Sequence, residues 1–216
     1  MTVGSALRSA LGDMYRYSWR LLVVNSAVSA VVCVAVLVVS AFPLVLLVAP
    51  ALAGPVAAAL VYCVVVLIRD WSFELTDALY GLRRFWIQGF VLGALFGAAL
   101  LLGALAVTFY SSVEHRAVPL AVLSVYVAAI VCLILLVAWP LAIGEPEQGL
   151  TAALRSAWLL ALHAPLRLFM LGAVLLVVNV AGAVTVLPFL TLTIAYSFLA
   201  TARVVLPVPT LEEATT

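Results

Sequence analysis

Lysine is missing altogether from this 216-residue sequence, and charged residues of any kind make up only 9% of it. A soluble domain carries about 25%. Without lysine there is no Gly-x-x-x-x-Gly-Lys-Ser/Thr phosphate loop, so any part in ATP-driven transport would depend on another subunit. The basic residues are ten arginines against nine acids, a formal net charge of +1 with no basic tail, which excludes a nucleic-acid footprint. Histidine occurs twice, at His115 and His163, and neither His-Glu-x-x-His nor Gly-x-Ser-x-Gly is present. We therefore expect no metal, no cofactor and no enzymatic activity. The three cysteines, Cys33, Cys63 and Cys132, lie in apolar runs without Cys-x-x-Cys spacing, and we expect them to be small buried packing residues.

What the sequence has in abundance is apolar surface: 68% hydrophobic residues and a mean hydropathy of +1.33. Six runs contain no Asp, Glu or Lys: 21–42, 44–68, 86–110, 118–139, 167–185 and 188–206. Each is about as long as the ~20 residues that cross a bilayer as helix, and the connections are too short for a separate soluble domain. The predicted fold is an all-α membrane protein, one transmembrane domain over 1–216 with a short polar tail at 207–216. The first run exceeds a signal peptide's apolar region of roughly 7–15 residues, so it reads as an uncleaved span.

Nine of the ten arginines fall before the first run, in alternate connections or at the close of the last run, and Arg116 stands apart from them. The positive-inside rule then puts both termini in the cytoplasm. The breaks at Pro43, Pro50, Gly54-Pro55 and Pro188 leave five spans as an alternative to six. Gly54-Pro55 is either a kink within one long helix or a helix start after a loop that dips into the membrane.

Three cytoplasmic segments have the period of amphipathic helices, 5–20, 71–86 and 146–163. In the second, Trp71, Leu75, Ala78, Leu79, Leu82 and Trp86 share one face. In the third, Glu145-Pro146-Glu147 opens the helix, His163-Ala164-Pro165 ends it, and Leu150, Leu154, Trp158 and Leu162 share a side. Ser5-Ala6-Leu7-Arg8-Ser9-Ala10 resembles Ala152-Ala153-Leu154-Arg155-Ser156-Ala157, and Leu75 to Leu79 resembles Leu150 to Leu154. Either the chain holds three repeats of roughly 70–75 residues, each an amphipathic helix plus a transmembrane hairpin, or a biased composition repeats itself by chance.

Gly89, Gly93 and Gly97 form a stripe on the third span, with Gly103 beyond, where another backbone can come close. It serves either packing within the bundle or a homo-oligomer seam. Asn25, Tyr62 and Asn179 are candidates to line a polar path. The alternative is that they bond to neighbouring helices. Trp19, Trp86, Tyr110 and Trp139, near run ends, read as interface anchors. No span contains an acid or a histidine, which argues against proton-coupled transport.

Two stretches resemble the YesL-like bacterial membrane proteins of unknown function. Ala53-Gly54-Pro55-Val56-Ala57-Ala58-Ala59-Leu60, running through Tyr62 and Arg69-Asp70 to Phe85, is similar to that family's Gly-Pro-x-x-Ala-Ala helix and following cytoplasmic segment. Trp139-Pro140-Leu141-Ala142 with Ala153 to Leu162 is similar to its Phe-Pro-Leu segment and late amphipathic helix, departing at Trp139. The resemblance implies a bacterial inner-membrane protein associated with carbohydrate-uptake permeases, with no catalytic residues to carry over. The expected partners are the lipid bilayer and carbohydrate-transporter subunits. The alternative expectation is a facilitator or channel for a small neutral solute such as a sugar or polyol.

Overall fold

The computed structural model describes residues 3–16, 18–41, 45, 48–113, 117–185 and 193–206. Every regular element among them is helical. The order is α1 (Val3–Arg16), α2 (Ser18–Ala41), α3 (Ala49–Asp70), α4 (Leu75–Arg84), α5 (Trp86–Val113), α6 (Val118–Gly144), α7 (Gly149–His163), α8 (Pro165–Thr185) and α9 (Ile194–Val205), with a 3-10 turn at Pro146–Gln148 before α7. Stretches of α3, α5, α6 and α8 are long and apolar enough to cross a membrane, and shorter apolar stretches occupy Trp19–Val31 and Ile194–Val205. This is a multi-pass membrane protein.

The centre of the bundle is α3. Of its most apolar stretch 61% is buried, against 11% for α5 and 22% for α6. Its small and β-branched residues explain why it is surrounded: Ala58, Leu60, Val61, Cys63, Val64 and Ile68 are fully enclosed by α2, α5, α6 and α9. By contrast α5 and α6 turn Leu102, Phe109, Leu123 and Ile130 outward, each more than half exposed. Hydrocarbon solvates such side chains at no cost, so apolar residues all around a helix are compatible with a peripheral position.

Pro50 enters α3 in its first turn, where its missing N–H is harmless, and the helix runs on unbroken through Gly54-Pro55. Of the two sequence readings, the structure has the single long helix. It ends at Trp71, whose left-handed φ of 55° is the only positive value at a non-glycine among the described residues. This differs from the helix expected over 71–86. Trp71 caps α3, Phe73 is buried in the core, and α4 occupies only Leu75–Arg84. The Asp77 carboxylate accepts a hydrogen bond from the Glu74 N–H at 2.7 Å and fixes the start of α4.

Two other expectations are corrected. Cys63 is buried, but Cys33 is exposed on α2 and Cys132 is half-buried on α6. Trp139 is only 4% exposed and meets Phe198 edge-on at 5.8 Å between ring centres, so it belongs to the core, whereas Trp19 and Trp86 are exposed as interface anchors would be. Residues 114–116 of the expected outer loop, residues 186–192 of the expected final turn and sixth span, and the tail 207–216 lie outside the described residues.

Candidate functional site

Two clusters of polar groups join the helices. The first surrounds the start of α9. On α2, Asn25 and Ser29 are one turn apart on the buried face, and both are almost completely enclosed. Asn25 Oδ1 accepts a hydrogen bond from the Ala195 N–H at 2.8 Å, satisfying a donor in the first turn of α9 from a helix 170 positions away. On the other flank, Asn179 Nδ2 donates to Ser197 Oγ and to the Leu175 carbonyl, both at 2.8 Å. Ser197 in turn donates to the Thr193 carbonyl at 2.8 Å, and Thr201 to the Ser197 carbonyl at 2.7 Å. Among the described residues, Ser29 Oγ and Gln88 Oε1 are the buried side-chain polar atoms without a partner.

Two of the three path candidates, Asn25 and Asn179, thus converge on α9. The third does not join them. Tyr62 lies on the face of α3 that receives α4, its ring 5.4 Å from Tyr80 and 5.5 Å from Phe85. Gly81 allows this approach, since a Cβ there would lie 2.7 Å from Tyr62 Cβ. A cavity of about 200 Å³ is lined by Leu11, Met14, Val178, Thr193 and Tyr196, and none of the three candidates borders it.

Each Asn bond joins two helices, and an interhelical hydrogen bond at membrane depth is worth about 1 kcal/mol. Asn25→Leu removes the partner of a buried N–H as well. We expect it to lower stability by about 1–2 kcal/mol, read as a shift in the SDS fraction that unfolds the detergent-solubilised protein. An unchanged midpoint would mean that the Ala195 N–H is satisfied elsewhere.

The second cluster lies at the arginine-rich end. Arg203, only 2% exposed at the end of α9, donates from Nε to Asp13 Oδ2 of α1 at 3.0 Å and from Nη2 to the same oxygen. Its guanidinium carbon also sits 5.2 Å from the centre of the Trp71 ring. Nearby connections are held in the same manner: Arg20 donates to the Phe73 carbonyl, and Arg69 at the end of α3 donates to the Gly144 carbonyl at the end of α6. Three arginines therefore tie α1, α2, α3, α6 and α9 together at one end. Spacing along the chain does not reveal this pairing of Arg203. The available signal was Asp13, which follows Ala6 and Ala10 on the small-residue face that α1 lays against α9.

The glycine stripe faces inward. A Cβ on Gly93 would lie 2.4 Å from the Pro50 carbonyl oxygen, and one on Gly89 would lie 2.8 Å from the Gly54 oxygen. A Cβ on Gly97 would lie 2.5 Å from Pro50 Cβ, and one on Gly103 would lie 2.6 Å from Ala128 Cβ of α6. The seam that might have served a second copy is occupied by α3. Among the described residues, no three His, Cys, Asp or Glu side chains are placed to hold a metal ion. The chain matches no family model, no curated protein and no solved structure.

Proposed function

We propose that this protein is a non-enzymatic accessory protein of the bacterial inner membrane that packs beside a carbohydrate transporter. The observation that carries the reading is the use of the membrane-depth amides: Asn25 and Asn179 each bond to α9, so the groups that would line a solute path instead hold helices together. An accessory subunit also needs surface for a partner. Leu79 and Tyr80 on α4 and Trp158 and Leu162 on α7 leave more than half of each side chain exposed. The carbohydrate association rests on the YesL-like resemblance around Gly54-Pro55 and Trp139-Pro140.

Six crossings with both termini cytoplasmic fit this reading. The 24 residues of α2 rise about 36 Å and can span a ~30 Å core, adding a fifth crossing to the four long apolar helices. The 12 residues of α9 rise about 18 Å, so a sixth crossing also needs residues before Ile194. The order of one short helix followed by two apolar ones occurs three times, α1 to α3, α4 to α6 and α7 to α9, which supports three repeated units. Arg8, Arg16, Arg20, Arg69, Arg83, Arg84, Arg155, Arg167 and Arg203 mark the cytoplasmic side.

Purification from native membranes in a mild detergent that keeps sugar permeases intact tests the proposal. Permease subunits should co-purify, and Trp158→Ser with Leu162→Ser should release them while leaving helical content unchanged. Absence of permease subunits from the wild-type preparation would overturn it.

A further inference from the structure

A cavity between α1, α8 and α9 adjoins the first polar cluster at Thr193. Its walls are Leu11 and Met14 of α1, Val178 of α8, and Thr193 and Tyr196 on α9 and the residue before it. At about 200 Å³ this open cleft has room for part of a hydrocarbon chain, and the surface it presents is almost wholly apolar. In a bilayer the nearest hydrocarbon is a lipid chain. Tyr15 and Trp19, just beyond Met14, are exposed aromatic side chains of the kind that settle at headgroup level.

The charge on α1 selects among lipids. Its acid is Asp13, and that carboxylate is engaged by Arg203. Arg8 and Arg16 are exposed on the same helix and have no acid of α1 left to neutralise them. Arg8 precedes Leu11 by three residues, so the two are neighbours on one face of α1, and Leu11 lines the cavity.

We propose that this cleft seats one acyl chain of an anionic phospholipid whose phosphate is held by Arg8. The ion pair deep in the clamp and the lipid site are thereby linked: by engaging Asp13, Arg203 leaves α1 with an unopposed positive face. A headgroup at such a surface gains about 1 kcal/mol per arginine, a preference of about fivefold for anionic over zwitterionic lipid.

The test uses the full chain reconstituted in nanodiscs of equimolar phosphatidylglycerol and phosphatidylethanolamine, transferred to mild detergent and weighed by native mass spectrometry. The wild type should retain one lipid, with phosphatidylglycerol favoured about fivefold. Val178→Phe, which fills the cavity, should abolish retention of both lipids. Arg8→Gln should keep the bound lipid but lose the preference. A wild type that retains no lipid, or both classes equally, overturns the proposal, as does Arg8→Gln with its preference intact or folded Val178→Phe with lipid still bound. Arg8 is solvent-facing, so its variant decides the headgroup assignment even if Val178→Phe fails to fold.

Discussion

Gly54→Ala is expected to pull the bundle apart at its centre. A Cβ at this position would lie 2.1 Å from the Gly89 carbonyl oxygen and 2.7 Å from the Gly89 carbonyl carbon. Both are backbone atoms of α5, so no side chain can swing aside and the two helices must separate. Separation also loosens the neighbouring contacts of Gly93 and Gly97 with Pro50. We expect a loss of about 3 kcal/mol, the upper end of the overpacking range, seen as unfolding at much lower SDS fraction. Gly12→Ala is the matched control. Nothing lies within 4 Å of a Cβ there, and alanine is the better helix former, so the same assay should show a gain of up to about 1 kcal/mol. Equal effects from the two substitutions would contradict the close α3–α5 seam.

Arg203→Met should be as damaging for an electrostatic reason. It leaves the Asp13 carboxylate, whose side chain is 14% exposed, without its partner, and breaking one member of such a pair costs about 3–5 kcal/mol. The same change strips the cation from the Trp71 ring at the left-handed end of α3. Replacing both members, Asp13→Leu with Arg203→Met, should restore most of the loss, since no uncompensated charge remains. In the single variant α1 should exchange its amide protons faster than in the double variant. If the double variant is instead as unstable as the sum of its parts, the two side chains act independently and the clamp is wrong.

The apolar helices were legible in the sequence because hydropathy is a local property: the runs at 44–68, 86–110 and 118–139 lie close to α3, α5 and α6. The proline signals at Pro146 and Pro165 likewise bracket α7. Boundaries set by tertiary contact were not legible. Trp71 has the spacing of an amphipathic helix but takes the left-handed cap of α3 and lies under Arg203, from the other end of the chain. Trp139 looked like an anchor because it ends an apolar run, yet Phe198 covers it. The glycine stripe could be read from spacing, but not its partner, because Pro50 and Gly54 are recognised only once α3 and α5 are brought together. Asn25 and Asn179 stood out as polar residues in apolar runs. That both meet α9 depends on packing, which no local pattern encodes.

The central claim is that the membrane-depth polar groups join helices and do not conduct solute. Flux into proteoliposomes of purified protein, across a panel of sugars and polyols, tests it most directly. The account predicts uptake no faster than into protein-free liposomes. Uptake above that background, reduced by Asn25→Leu or Asn179→Leu in protein that remains folded, would contradict it.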